Sequence, residues 1–402
     1  MEHERVVAGV VGAASRKVLF QWRRISGSRI SGSWADRLPQ VEALVSQAQF
    51  DAALEGSIYG AATLADQGQW IAPESFVNPS GFAGFASSGA PLAAVLERPV
   101  SYTLDLIGSG VSEADALRRG GVLLGGIVQT QVRDAARLAA ATDMSARPGV
   151  GYIRMVGPGA CSRCIILAGK FFRWNQGFKR HPRCNCTHVQ TTRGMYEGAK
   201  TEGYSDDPYE LFKGMSQAEQ DRAFGAANAE AIRQGSDIFQ VVNSSRSARG
   251  ITTAEGTSRR GYSSSLAGRR LTPEGIFREA RGNREKARRL LEEHNYILPG
   301  GQNPQGVIRG QREGFGELGR GGVRVGARNA VEQARRTGVR DPKSRYTMTE
   351  AERRLFDADL RFQAVLEGRN PYSRDGQGWT PAIAARAEAD YKRWLATGGQ
   401  VF

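Results

Sequence analysis

Apolar residues recur at helical spacing through the first third of the chain. The spacing predicts helices over residues 5–25 and 34–67, followed by a longer helix that opens at Ser112. Ser112 suits an N-cap because its hydroxyl can accept a backbone N–H bond from the first turn, and the pattern ends at residues 147–149. Residues 1–146 are therefore predicted to form a helical N-terminal region.

Four glycines interrupt the longer helix, at positions 120, 121, 125 and 126. Each glycine lowers helix propensity by about 1 kcal/mol relative to alanine. Where a helix contains glycines despite this loss of propensity, they usually let its backbone approach a neighbouring helix closely. We expect this helix to pack tightly against another helix or another subunit.

The middle of the chain combines short strand patterns with helix signals. Ser216-x2-Glu219 is a capping box, which satisfies two backbone N–H groups at the start of a helix. We predict that residues 147–243 form a Cys/His zinc module with following helices. The strand patterns cover 152–156, 170–174 and 238–242, and helical spacing continues over 226–234.

Glycine, serine and arginine dominate much of the chain after residue 243. Residues 244–345 are predicted to be a basic Gly/Arg-rich segment with short helices, and residues 346–402 a C-terminal helical segment. Irregular connections are expected around 73–91, 244–270 and 300–345. The predicted helices begin at the Pro273 and Thr349-x2-Glu352 signals and cover 283–295, 350–367 and 381–396.

Positive charge is concentrated in one part of the chain. The net charge is +14, and residues 244–345 contribute 22 Lys and Arg against 10 Asp and Glu, or +12. Within that segment, residues 311–330 resemble Arg/Gly sequences that follow nucleic-acid backbones, although a solvated linker has the same composition. The segment is expected to face packaged DNA or an acidic protein surface.

All four cysteines lie in one stretch, residues 158–188, together with two of the four histidines. Cys-x2-Cys is followed, after nineteen residues, by a second cysteine pair that His181 and His188 flank, which is the spacing that delivers ligands to a tetrahedral Zn2+ from two turns. A closed shell of four ligands leaves no position for a catalytic water, so the predicted zinc site is structural. The six candidate ligands are Cys161, Cys164, His181, Cys184, Cys186 and His188.

The choice among these six ligands stays open. Cys161 and Cys164 are the strongest candidates, two or more of His181, Cys184 and Cys186 complete the set, and His188 is the weakest. Two disulfides, a redox Cys-x2-Cys and buried thiols are the competing interpretations. The chain begins without a secretory signal pattern, which argues against disulfides, and a redox pair would leave the second cluster without a role. The sequence thus predicts a mainly α fold with a small α+β zinc-knuckle module and extended basic linkers.

The cysteine-rich stretch is basic and aromatic. No Asp or Glu occurs from Met144 to Tyr196, whereas nine Lys and Arg lie there. This excess can bind phosphate, or it can offset the negative charge of a thiolate-rich zinc site. The aromatic residues are more typical of a small core than of a base-stacking platform: Phe171, Phe172, Trp174 and Phe178.

The motif resembles the Cys-x2-Cys … His-Pro-x-Cys-x-Cys signature of phage Mu F-like minor head proteins, the phage head morphogenesis family, in the version found in tailed phages of actinobacteria. The resemblance covers roughly residues 90–402. Ala168 stands where many members have Asp and Asn185 where many have Arg, but neither difference removes a ligand. The other matching segments are 225–243, 252–261, 270–280, 283–298 and 391–402.

The resemblance implies a minor capsid protein present in few copies, which acts in head assembly, DNA packaging or DNA delivery. Its implied partners are the portal and major capsid proteins and packaged double-stranded DNA. The charge of residues 244–345 favours binding of this DNA without sequence preference. Its implied location is the capsid interior near the portal, after assembly in the host cytoplasm. No membrane association is expected, because no apolar run approaches the length of a spanning helix.

Enzymatic activity is not expected. The sequence contains no phosphate-binding loop, dinucleotide fingerprint, serine elbow or metalloprotease motif. One alternative is a zinc-containing nuclease of the His-Asn-His kind, but His181 and His188 are better used as zinc ligands and the basic stretch has no carboxylate for Mg2+. The other alternative is a nucleic-acid-binding protein built on a zinc module.

Overall fold

The computed structural model describes residues 2–157, 159–176, 186–198, 207–242, 271, 273–298, 336–338 and 347–401. Within these ranges the protein is mainly helical, with one small antiparallel sheet, which confirms the predicted fold class at that level. Most of the predicted basic linkers, 244–270 and 300–345, lie outside the described residues. None of the described helices is long and apolar enough to cross a membrane.

The N-terminal region is helical, as predicted, and two long helices form its centre. Their apolar faces meet in a core that includes Val41, Val45, Leu124 and Val128, and all four side chains are fully buried. Ser112 caps the second of them by accepting a bond from the Asp115 backbone N–H. The helices are α1 (Glu2–Trp22), α2 (Ile30–Ala35), α3 (Leu38–Asp66), α4 (Leu92–Leu96), α5 (Arg98–Gly108) and α6 (Glu113–Ser145).

Glycines allow the close packing that the sequence predicts for α6. A Cβ on Gly120 would lie 2.1 Å from Thr103 Oγ1 and 2.6 Å from the Trp22 ring, so only glycine fits beneath these side chains. Gly125 makes only ordinary contacts. A contact that the sequence pattern did not reveal occurs on α3, where a Cβ on Gly56 would lie 2.1 Å from the Ala136 carbonyl oxygen of α6.

The connection from α3 to α4 lacks long regular elements, as predicted for 73–91, and contains only a short 3-10 turn at Pro79–Phe82. It is nevertheless buried, because Phe76 and Phe82 insert into two hydrophobic clusters. Its backbone pairs with residue 297 through an isolated bridge to Val77.

A three-stranded antiparallel sheet follows α6, in the order β2-β1-β3. It consists of β1 (Val150–Met155), β2 (Phe171–Arg173) and β3 (Thr187–Thr192), with the short α7 (Ser162–Ile165) between the first two. The first two strands were predicted and the third was not. Tyr152 lies opposite Phe172 on one side and Gln190 on the other, so these three side chains share the sheet face that packs on α3 and α6.

A group of short helices follows β3. Residues 238–242 are helical, so the predicted strand is wrong. Asp237 Oδ1 accepts the Gln240 backbone N–H at 2.7 Å, which favours a helix start, and the buried Ile238 and Val242 are spaced by one helical turn. These helices are α8 (Arg193–Gly198), α9 (Pro208–Lys213), α10 (Gln217–Phe224), α11 (Ala226–Arg233) and α12 (238–242).

Two further helix pairs return to the N-terminal helices. Ile276 and Phe277 pack with Leu138 and Ala139 of α6 in a shared cluster, so segments predicted as separate regions have a common core. Both predicted capping boxes, at Ser216 and Thr349, are present. The pairs are α13 (Pro273–Ala280) with α14 (Arg284–Glu293), and α15 (Glu350–Leu366) with α16 (Pro381–Thr397).

Four buried ionic side chains attach α16 to α3 and α6. Arg147 bonds both Asp143 and Glu388, and Lys392 Nζ lies 2.6 Å from Asp143 Oδ1 and 2.6 Å from Glu388 Oε1. Lys392 Nζ also donates to the Ser57 carbonyl at 2.7 Å. Two acids and two bases make the group electrically balanced, which is the condition for keeping charges away from water. We call these four residues the ionic cluster.

In the ionic cluster, attraction between opposite charges outweighs the effect of burial, which opposes ionisation. Burial alone would raise the pKa of Asp143, but the adjacent Arg147 and Lys392 hold it below its usual value. Burial likewise opposes the charged form of Arg147, yet Asp143 and Glu388 raise the pKa of Arg147 above that of an exposed guanidinium. Asp143 and Arg147 therefore stay ionised in the folded protein near neutral pH.

Candidate metal centre

Cys161 and Cys164 converge at the start of α7. Cys161 is the N-cap residue, Cys164 lies one turn into the helix, and their Sγ atoms are 3.3 Å apart. This separation is too long for a disulfide, whose S–S bond is about 2.05 Å, and close to the roughly 3.8 Å between two thiolates at about 2.3 Å from a tetrahedral Zn2+. The pair can thus hold an ion after a small widening.

A glycine lies on each side of the Cys161–Cys164 turn and gives the backbone a conformation that other residues rarely adopt. Gly159 and Gly169 have φ of +76° and +65°, values that only glycine adopts readily and that suit tight turns. The Gly169 N–H donates to the Arg154 carbonyl of β1 at 2.9 Å, which returns the chain to the sheet immediately before β2.

Arg154 of β1 contacts one of the two thiols. Its side chain is 1 % exposed, and its Nη2 lies 2.9 Å from Cys164 Sγ. A guanidinium at this distance favours the thiolate, which is the form of cysteine that binds metal. Nothing in the sequence pattern indicated this contact, because Arg154 and Cys164 are ten positions apart in different elements.

The other candidate ligands are distributed differently. Cys186 precedes β3, is fully buried and belongs to the same hydrophobic cluster as Cys164. His188 lies in β3 opposite Arg154, with its ring stacked on Tyr152 at 4.2 Å between centroids. His181 and Cys184 lie outside the described residues.

Among the described residues, two of the six predicted zinc ligands, Cys161 and Cys164, are brought close together. Two soft, converging thiols beside a guanidinium fit the chemistry of a zinc thiolate pair. Within the described ranges, no three His, Cys, Asp or Glu side chains are grouped closely enough to hold an ion. The complete ligand set remains a prediction.

The aromatic residues divide between the two faces of the sheet. Phe172 stacks on Tyr152 at 5.2 Å, and Trp174 meets Phe277 edge to face at 5.5 Å, which confirms the predicted packing role for these two. Phe171 points the other way, because successive residues of a strand alternate between faces. Phe178 lies outside the described residues.

Phe171 lines an open cleft of about 450 Å³ on that second face. The lining residues are Lys170, Phe171, Arg173, Gln176, Arg193 and Tyr196, and we call this site the basic cleft. Three of the nine basic residues of the stretch thus line this cavity, and another, Arg154, lies beside Cys164.

No protein-family model, curated protein or solved structure matches this chain.

Proposed function

We propose that this chain is a minor head protein of a tailed bacteriophage that contains a structural zinc site. In this role it organises contacts among the portal, the major capsid protein and packaged double-stranded DNA in the capsid interior, and it performs no catalysis. The proposal rests on the family resemblance and on the way the resembling segments come together in the fold.

The observation that carries the proposal is the joint packing of segments that are far apart in the sequence. Ile276 and Leu291, from the segments at 270–280 and 283–298, share a cluster with Leu138 of α6. Lys392, from the segment at 391–402, bonds Asp143 of the same helix at 2.6 Å. Three of the segments that carry the resemblance thus pack against α6 or bond to it, as expected if the resemblance extends to the fold rather than to a short motif.

Zinc has a structural role in this proposal. Cys161 and Cys164 provide two ligands, and two of His181, Cys184 and Cys186 provide the others. A structural zinc contributes folding free energy on the order of 10 kcal/mol in small modules, because the site does not exist in the unfolded chain. Bound zinc would link the Cys161–Cys164 turn to the residues just before β3. In the sequence these two parts are separated by β2.

The first test concerns metal content. The full chain, purified without metal-affinity steps, should contain about one zinc per molecule by elemental mass spectrometry. Cys164→Ser should lose the metal and become sensitive to limited proteolysis, since a lost ligand removes much of the module's folding energy. Ser162→Ala, between the two cysteines, is the matched control and should retain zinc. A metal-free chain that resists protease as well as the untreated protein contradicts the zinc site.

The second test concerns location. Virions purified from cells that produce this protein in its natural setting should contain its peptides at a few copies per particle, measured against the major capsid protein by quantitative mass spectrometry. Absence from purified virions, with the protein present in the cell lysate, would refute the assignment as a head protein.

A further inference from the structure

The basic cleft combines two kinds of side chain that recur in nucleic-acid sites. Lys170, Arg173 and Arg193 are exposed at its rim, and Phe171 and Tyr196 are half-buried in its wall. None of the described residues that line it is acidic. A volume of about 450 Å³ lies within the range of pockets that hold small ligands, about 300–1,000 Å³.

The two rings are held by the sheet. Their centroids are 5.6 Å apart with the planes tilted by 39°. A Cβ on Gly151 would lie 2.5 Å from the Phe171 ring, so the ring rests directly on the backbone of β1. This backing fixes the ring without surrounding it, and little conformational entropy is lost when a flat ligand stacks there.

The cations are also positioned by their neighbours. Gln176 Oε1 accepts the Arg173 backbone N–H at 2.9 Å and closes the turn after β2. Lys170 Nζ lies 4.5 Å from the centre of the Phe239 ring, which places the ammonium at the edge of the cleft next to α12. Arg193 begins α8, the same short helix that carries Tyr196.

We propose that the basic cleft binds single-stranded nucleic acid. Lys170, Arg173 and Arg193 contact backbone phosphates, and a base stacks on Phe171 or Tyr196. Aromatic faces accept bases of any sequence, but only bases that are not stacked within a duplex can reach them. This activity goes beyond contact with packaged double-stranded DNA, and it does not depend on the proposed function.

The test uses the full chain and a fluorescein-labelled oligothymidylate that contains 5-iododeoxyuridine, with binding followed by fluorescence anisotropy. Tyr196→Leu should weaken binding about fivefold or more, because base stacking on one ring is lost. Tyr196→Phe keeps the ring and should bind normally. Arg173→Gln should reduce the slope of log affinity against log salt by about 0.7, the value for one phosphate contact on a single strand.

A matched control exists on α1, where Arg24 lies 4.7 Å above the exposed Phe20 ring. Phe20→Leu and Arg24→Gln remove the same kinds of group far along the chain from the sheet and should leave binding unchanged. The affinity of a duplex of the same length should change less than twofold in Tyr196→Leu. Ultraviolet crosslinking of the iodinated base should map to Phe171 or Tyr196.

Three results would overturn the proposal. The first is equal loss of binding in the cleft variants and in the α1 controls. The second is crosslinking confined to residues 244–345, which would place the strand on the basic segment instead. The third is unchanged oligothymidylate binding in a cleft variant that loses affinity for polyglutamate, which would assign the cleft to an acidic protein surface.

Discussion

His3 illustrates how one buried residue makes stability depend on pH. Its imidazole stacks on Tyr59 with 4.1 Å between ring centroids, in a mostly buried position near the start of α1. Burial lowers its pKa from 6.5 to about 4, against a smaller opposing effect of Glu4. Between these two values the unfolded chain binds a proton that the folded protein does not, so acid favours unfolding.

We therefore expect the stability contributed by His3 to be complete above about pH 6.5 and to be lost as the pH falls toward 4. The loss at pH 5 is on the order of 2 kcal/mol. The free energy of unfolding, measured with urea at pH 7.5 and at pH 5, should fall by about 2 kcal/mol more in the unmodified protein than in His3→Phe. The phenylalanine of that variant keeps a ring but cannot be charged. Identical pH dependence in the two proteins, or an NMR titration of His3 centred near pH 6.5, would contradict the burial argument.

At the scale of elements, the contact between α3 and α6 depends on a residue without a side chain. A methyl group on Gly56 would meet the Ala136 carbonyl oxygen at 2.1 Å, and a backbone atom cannot move aside as a side chain can. Gly9 of α1 has nothing within 4 Å of its potential Cβ. The two positions share a helical conformation and differ only in their surroundings.

The same substitution should have opposite effects at these two glycines. Gly56→Ala should lower the free energy of unfolding by about 1–3 kcal/mol, because the helices must separate or distort. Gly9→Ala should raise it by up to about 1 kcal/mol, since alanine has the higher helix propensity and meets no neighbour. Chemical denaturation measures both, and a stabilised Gly56→Ala protein would show that the interhelical contact is looser than this geometry.

Elements with strong local signals were predicted well from the sequence. Ser112, Ser216 and Thr349 cap helices as expected, because N-cap chemistry involves residues within one turn. β3 was missed because its alternating side chains include His188, which was read as a zinc ligand. The strand predicted over 238–242 was wrong because five residues are too few for periodicity alone to distinguish strand from helix.

The candidate site was predicted only where its chemistry is local. The Cys-x2-Cys spacing was sufficient to predict that Cys161 and Cys164 converge. The contact of Arg154 with Cys164 and the lining of the basic cleft by Tyr196 depend on strand pairing, which a single sequence does not specify. The position of the other site residues is determined by such long-range contacts, and these could not be predicted.

For the whole molecule, the ionic cluster connects distant parts of the chain. Lys392→Met would leave Asp143 and Glu388 with one negative charge in excess in a site without access to water. Removing one partner of a buried ion pair typically costs about 3–5 kcal/mol. We expect a loss of this size in the free energy of unfolding.

Lys213→Met is the matched control for Lys392→Met. Lys213 Nζ lies 2.9 Å from Glu210 Oε1, but both side chains are largely exposed to water. The denaturation midpoint of this variant should stay close to that of the unmodified protein, because exposed ion pairs contribute little. A comparable loss in both variants would mean that burial is not what makes Lys392 important.

Charge distribution is the other property of the whole molecule that allows a test. Residues 244–345 hold a net charge of +12 of the total +14, from 22 basic and 10 acidic residues. Duplex binding by the full chain should therefore weaken steeply with salt, with a slope of about −0.9 per phosphate contacted. Replacing Arg312, Arg320, Arg324 and Arg328 with Gln should make the slope shallower by up to about 3.6, measured by filter binding. An unchanged slope would exclude this segment from the DNA contact.

The ionic cluster also has a consequence for the order of events during synthesis. Arg147 and Glu388 are separated by 241 positions, so at about 5–20 residues per second the ribosome adds Glu388 some 10–50 s after Arg147. Throughout this interval Asp143 and Arg147 lack both of their partners from α16, and the surface of α3 that receives Lys392 is uncovered. Until α16 is synthesised, Asp143 and Arg147 therefore remain accessible to water or to a chaperone.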